Sequence, residues 1–196
     1  MTARSPLAAA AEKAGFRHET ATLRRGSPPK TWYGPGDATA RSVERAALAH
    51  YQSQGWRGYG GEGGLLLSLI KAMSFDQVPA SLRPTYIEAV YAANTSFEEP
   101  GISVPEMLAR VQNATQAKVG QNFDFLVSRK PLPYKMGTVT FTQHHCMLDS
   151  FPDLERWMFL ELLATAGNEL LHQIASTFAR APYEYARGWP DLTIWR

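Results

Sequence analysis

The feature that most constrains the fold of this chain is an apolar segment at residues 65–73, Leu-Leu-Leu-Ser-Leu-Ile-Lys-Ala-Met. It is apolar nearly all round, which is the pattern of a helix buried on every side. A glycine-dense stretch at residues 58–64 precedes it and predicts a loop. A buried helix needs other elements around it, and 196 residues are enough for one full domain, or part of a larger one.

Composition excludes several classes of protein. The chain has no run of eighteen apolar residues, so no transmembrane helix is expected, and charges within residues 1–16 argue against a secretory signal. The single cysteine, Cys146, excludes an internal disulfide framework and a multi-cysteine zinc site. We therefore expect a soluble globular protein of a reducing compartment, the cytoplasm.

The rest of the chain predicts an α-dominated α/β fold. Ser103 and Glu106 form a capping box that begins one helix. Strands are expected at residues 137–141 and at 191–195, where apolar residues alternate. Helices besides the apolar one are expected at residues 39–54, 85–93, 103–118, 152–166 and 167–180.

Charge is concentrated at the beginning of the chain. Residues 1–57 hold nine Lys and Arg against four acidic residues, whereas the remainder holds eleven against fourteen. This asymmetry suits a polyanionic partner, with Arg41, Arg45 and Arg57 as candidate contacts to it, but a solvated, flexible leader is the simpler explanation of the charge alone. We expect a basic, loop-rich leader at residues 1–38 and a compact domain at residues 39–196.

Three motifs are weak. Residues 58–63 match the glycine spacing of a dinucleotide-binding loop, but the preceding residues are helical and polar rather than a hydrophobic strand. Glu169 and His172 match one Glu-x-x-His pair of the kind found in di-iron bundles. Those sites need two such pairs, and the sequence contains no second one. The adjacent side chains of residues 144–146 cannot all reach one metal ion.

Two acidic residues have more informative positions. Glu62 lies among glycines just before the buried helix, and Asp191 follows a proline at the start of the final strand. Carboxylates from two elements are the hard oxygen ligands that Mg²⁺ or Mn²⁺ prefers. Each acid also has a simpler explanation, Glu62 as a loop charge and Asp191 as part of a turn.

Two longer motifs resemble a nuclease family. Residues 49–56, followed by Glu62-Gly63-Gly64 and an apolar helix, resemble the opening of the VRR-NUC domain of the Fanconi-associated nuclease family. The stretch Gly-Trp-Pro-Asp-Leu-Thr-Ile-Trp at residues 188–195 resembles the first half of the family's PD-(D/E)-x-K signature. The likeness covers roughly residues 40–196, and the helical stretch between the motifs is similar to the family's helical insertion.

The resemblance implies a metal-dependent DNA nuclease that cuts branched DNA or 5′ flaps during repair. Glu62 and Asp191 would be catalytic metal ligands for Mg²⁺ or Mn²⁺, and DNA would be the partner, with no membrane involved. The implied fold is a restriction-endonuclease-like PD-(D/E)-x-K core with a helical insertion. The implied location is the bacterial cytosol or nucleoid.

The sequence departs from the family at its end. The family's next strand carries Glu-x-Lys, and no Glu-x-Lys occurs anywhere in these 196 residues. We therefore expect a VRR-NUC-type domain that lacks its last catalytic strand, so that its core is incomplete and its final strand is left unpaired. Such a domain would have weak or no activity alone, unless a separate chain supplies the missing strand. One alternative is a non-catalytic DNA-binding or interaction remnant. Another is an unrelated helical protein in which Glu62 and Asp191 lie far apart.

Overall fold

A computed structural model describes residues 6–27, 29–74, 103–136, 138–144, 146–181, 184–185 and 189–196. The chain forms two compact units, Met1–Gln54 and Gly55–Arg196. The units divide further along the chain than the expected boundary at residue 38. The helix expected at residues 85–93 lies outside the described residues.

The first unit contains two helices and a small strand pair. Strand β1 pairs antiparallel with β2 inside the stretch that composition predicted as loop. The helix expected at residues 39–54 is confirmed with narrower bounds, because the Ser42 hydroxyl accepts a hydrogen bond from the Arg45 backbone N–H and caps its first turn. The elements are α1 (Pro6–Lys13), β1 (Arg24–Arg25), β2 (Trp32–Tyr33) and α2 (Val43–Gln52).

The described residues of the second unit are mostly helical and include two short antiparallel strand pairs. Its elements are β3 (Arg57–Gly60), α3 (Gly64–Ser74), α4 (Val104–Gln112), α5 (Gln116–Leu126), β4 (Leu132–Met136), β5 (Val139–Gln143), α6 (Met147–Ser150), α7 (Arg156–Arg180) and β6 (Leu192–Trp195). Among the helices that the structure describes, none is both long enough and apolar enough to cross a lipid bilayer.

Helix α3 is the centre of the core, as the apolar segment predicts. Leu65, Leu69 and Ile70 have no exposed surface, and α3 packs against α4, α5 and α7. Each such side chain stabilises the fold by about 1.5–3 kcal/mol through burial. The amide of Asn122 in α5 donates to the Ala72 carbonyl at 2.7 Å, which ties α5 to α3 by a buried hydrogen bond.

The capping box correctly predicts where α4 begins but not where it ends. The Ser103 hydroxyl accepts a hydrogen bond from the Glu106 backbone N–H, as expected. The helix stops at Gln112 rather than continuing to residue 118, because Thr115 caps the start of a separate helix, α5. Nothing in the sequence distinguishes Thr115, as an N-cap, from the other threonines of the chain.

Two helices were expected at residues 152–166 and 167–180, and the break between them is confirmed. Gly167 has a φ of 74° and a ψ of 158°, a conformation that is essentially restricted to glycine. The first of the two begins at Arg156, later than expected. Helix α7 is therefore two helical segments separated at Gly167.

The strands correct two expectations. The strand expected at residues 137–141 appears as β5, paired antiparallel with β4. Residues 58–60, the first part of the expected loop, belong instead to β3, which pairs antiparallel with β6. The expectation that the final strand is left unpaired is therefore wrong, since one edge of β6 is hydrogen-bonded to β3. The described fold is helix-dominated with small antiparallel sheets.

Candidate metal centre

Glu62 and Asp191 lie at the same end of the β3–β6 pair. The last register pair of the ladder is Gly60 with Leu192. Beyond it, the Gly61 backbone N–H donates to the Asp191 carbonyl at 2.9 Å, and the Gly63 N–H donates to the Pro190 carbonyl at 3.3 Å. Glu62 therefore lies between two residues whose backbones are bonded to the Pro190–Asp191 turn. The structure places the backbones of the two acids at the same end of the strand pair.

Both acidic side chains are open to solvent. Glu62 and Asp191 are exposed, whereas Gly63 and Gly64 directly after Glu62 are buried. Helix α3 begins two residues after Glu62, so the loop lies at a helix N-terminus, where the partial positive charge of the helix favours anions. This end of the strand pair is therefore accessible from solvent.

Two glycines of the loop allow aromatic rings to approach the backbone. Gly63 has a φ of +64°, and a Cβ at this position would lie 2.9 Å from Cβ and Cγ of Trp189. A Cβ on Gly64 would lie 2.5 Å from the Phe151 ring. In the sequence, Glu62 simply lies among glycines. The structure gives a reason for the glycines, which is close packing against Trp189 and Phe151.

The donor set at this end consists of two carboxylates. Within the described ranges, no group of three or more His, Cys, Asp or Glu side chains is placed to hold a metal ion. Mg²⁺ commonly keeps several waters and is held by one or two protein carboxylates together with substrate phosphates. Glu62 and Asp191 are exposed carboxylates, the ligand type that such a site uses.

Arg57 lies at the opposite end of the strand pair. It pairs in register with Trp195, whereas the acids follow the Gly60–Leu192 end. Its guanidinium forms an ion pair with Glu161 and lies 5.1 Å from the Trp157 ring centre. The Glu161 carboxylate also accepts from the Trp195 indole N–H at 3.3 Å. Arg57 thus holds β3 to α7 and is not brought to Glu62 and Asp191.

Arg41 and Arg45 belong to the first unit. Arg41 forms an ion pair with Asp37 at 3.2 Å and exchanges two backbone hydrogen bonds with Trp32. Arg45 is exposed in the first turn of α2. Glu44 lies beside it, and the Ser42 hydroxyl holds the pKa of Glu44 below its ordinary value by hydrogen bonding. Arg41 and Arg57 therefore each form an ion pair with a neighbouring carboxylate.

The weak metal motifs have structural explanations. Cys146 is buried, and its backbone N–H donates to the Asp149 carboxylate at 2.8 Å at the start of α6. The same carboxylate accepts from Arg129 at 2.8 Å and raises the pKa of that guanidinium. Glu169 is exposed on α7.

Sequence reasoning missed an apolar pocket beside the candidate centre. A cavity of about 350 Å³ is lined by one face of α7 and by Tyr185 and Trp189, just before Asp191. The available signal was the spacing of Leu170, Ile174 and Phe178 at every fourth residue, together with a tryptophan next to Pro190.

Comparisons with protein-family models, with curated proteins and with solved structures find no match to this chain.

Proposed function

We propose that this chain carries part of the active site of a metal-dependent DNA nuclease, a hydrolase of branched or flap DNA in repair. In this proposal Glu62 and Asp191 together bind Mg²⁺ or Mn²⁺. The observation that supports it most is the pair of backbone hydrogen bonds from Gly61 to Asp191 and from Gly63 to Pro190, since they bring the backbone on both sides of Glu62 next to Asp191. The resemblance of both motifs to the VRR-NUC family, within a PD-(D/E)-x-K core, points the same way.

Each residue has a definite part in this proposal. The carboxylates of Glu62 and Asp191 supply negative oxygen ligands and fix the position of the scissile phosphate through the shared cation. When bound, such a cation polarises the phosphate and lowers the pKa of a coordinated water. The N-terminus of α3 adds partial positive charge on the same side. We place this chemistry in the cytosol or nucleoid of a bacterium.

Metal binding tests the proposal directly. Mn²⁺ titrated into the full chain, followed by its electron paramagnetic resonance signal, should show one site that Glu62→Gln or Asp191→Asn weakens by about tenfold or more, because each substitution removes a charged ligand. Glu169→Gln is the matched control, as an exposed acid on α7 outside the loop, and should bind as the parent does. Equal Mn²⁺ affinity in all four proteins would contradict the proposal.

A second candidate function is DNA binding without catalysis. Met1–Gln54, the first compact unit, holds eight Lys and Arg against four acidic residues. Binding through these cations would weaken steeply with salt and would survive a chelator. Binding that needs a divalent metal and Glu62 favours the nuclease proposal instead.

A further inference from the structure

The second segment of α7 forms one wall of a shallow pocket. The cavity of about 350 Å³ lies within the range of about 300–1,000 Å³ that is usual for small-ligand sites. Leu170, Gln173, Ile174 and Thr177 face it from the helix. Leu170 is 49% exposed, which leaves a large apolar side chain open to solvent at the rim.

The opposite wall is aromatic, and its tryptophan is held in a fixed orientation. The Trp189 indole N–H donates to the Tyr185 carbonyl at 2.6 Å, and its ring centre lies 5.8 Å from that of Phe178. Tyr185 is 44% exposed. An oriented indole beside an accessible phenol ring provides surfaces on which a flat molecule can stack without reordering the protein.

This aromatic wall is continuous with the candidate metal centre. Trp189 lies directly against the α-carbon of Gly63, where there is no space for a Cβ. The next residue, Pro190, accepts the hydrogen bond from Gly63, and Asp191 follows. The loop that carries Glu62 and the wall of the pocket are therefore parts of one packed unit.

The lining chemistry indicates an uncharged, planar occupant. None of the residues that line the cavity carries a formal charge at neutral pH, so the pocket offers no cation for a phosphate. The Gln173 amide is the polar group at its edge with both donor and acceptor atoms. The Thr177 hydroxyl already donates to the Gln173 carbonyl at 3.0 Å and keeps its capacity to accept. These are the properties of a site for a base rather than for a sugar phosphate.

We propose that this pocket holds an unpaired nucleobase of a single DNA strand, stacked against Tyr185 and Trp189. The inference rests on the proposed function and deepens it, because it assigns the single-stranded part of a branched or flap substrate to the side of the centre nearest Trp189. Stacking of one base on aromatic side chains contributes about 1–3 kcal/mol and is tolerant of sequence.

Base stacking can be measured without metal. A single-stranded oligonucleotide containing 2-aminopurine is titrated with the full chain in excess chelator. Binding should quench the fluorescence, and Tyr185→Ala should weaken affinity by roughly five- to 150-fold and remove the quenching, in line with the loss of one stacking contact. Tyr185→Phe keeps the ring and should restore both. Phe16→Ala, which removes a 72% exposed ring in the first unit, is the matched control.

A second variant and a second oligonucleotide test the same pocket. Leu170→Asp places a negative charge at the exposed rim and should also weaken binding. An oligonucleotide of the same length without bases should bind the parent as weakly as the normal strand binds Tyr185→Ala. Equal affinity for the two strands, or parent-like binding by both variants, would overturn the inference.

The test of the pocket and the test of the metal centre can fail independently of each other. Glu62→Gln and Asp191→Asn should keep the quenching in chelator, because neither residue lines the pocket. Loss of Mn²⁺ binding in those two variants, together with parent-like quenching in Tyr185→Ala, would refute the pocket and keep the metal centre. The reverse pattern would keep the pocket and refute the metal centre.

Discussion

At the scale of single residues, the candidate centre depends on Gly63, and the sequence alone does not show why a glycine is needed there. Glycines around Glu62 suggest an open loop, but Gly63 serves the contact with Trp189. The sequence shows that residue 63 is a glycine. It does not show which side chain packs against this glycine, because Trp189 is brought to the loop by the pairing of β3 with β6.

Gly63→Ala should therefore destabilise the fold. The added Cβ meets the rigid Cβ and Cγ of Trp189 at 2.9 Å and also sits at a φ of +64°. Together, overpacking and left-handed strain should cost about 2–4 kcal/mol in the free energy of unfolding, measured by urea titration.

Gly55→Ala separates the two causes of that loss. Gly55 has a φ of +84° but no atom within 4 Å of its ideal Cβ. This variant should lose only about 1–2 kcal/mol, from backbone strain alone. If Gly63→Ala is no more destabilising than Gly55→Ala, the contact between Trp189 and the loop is not formed as described.

At the scale of elements, local signals predict helices well and strands poorly. The apolar run predicts α3, and Ser103 predicts the start of α4. Gly167 predicts the break in α7. Strand β3 is missed because Arg-Gly-Tyr-Gly has little strand propensity and becomes a strand by pairing with β6 from the far end of the chain. Tertiary pairing decides its structure, and no local pattern reports it.

Asn168 shows a similar long-range contact and gives a second stability prediction. Directly after the Gly167 break, its amide donates to the carbonyls of Val111, Gln112 and Ala114 at 2.9–3.1 Å, where α4 ends. Asn168→Ala leaves these carbonyls without that donor and should cost about 1–3 kcal/mol in thermal or urea unfolding.

Asn113→Ala is the matched control for that prediction. Its amide donates to the single exposed Ala109 carbonyl at 2.8 Å within the same region of α4. Solvent can replace that bond, so the loss should stay below about 1 kcal/mol. Equal losses in Asn113→Ala and Asn168→Ala would show that Asn168 does not join α4 to α7.

At the scale of the whole molecule, the sequence predicts the helical character of the chain, whereas the units divide after Gln54 rather than at the expected boundary of residue 38. The pairing of Glu62 with Asp191 was a hypothesis about two motifs far apart in sequence, and the described backbone hydrogen bonds are compatible with it. The family assignment and the nuclease activity remain proposals, resting on the motifs and on this geometry.

Catalysis by the chain alone should be weak or absent. The sequence contains no Glu-x-Lys, the motif that supplies a second acid and a lysine in the family it resembles. Flap and branched DNA incubated with Mg²⁺ or Mn²⁺ should show little cleavage above a no-enzyme control. Robust, chelator-sensitive cleavage that Asp191→Ala abolishes would contradict this expectation while supporting the metal centre.

The most direct test of the shared centre is a double-mutant cycle on Mn²⁺ affinity. If Glu62 and Asp191 bind one ion, the variant carrying both Glu62→Gln and Asp191→Asn should lose clearly less binding free energy than the two single losses added together, because either substitution already disrupts the common site. Strictly additive losses would mean that the two carboxylates act on separate ions, and no loss in either single variant would mean that they hold no ion at all.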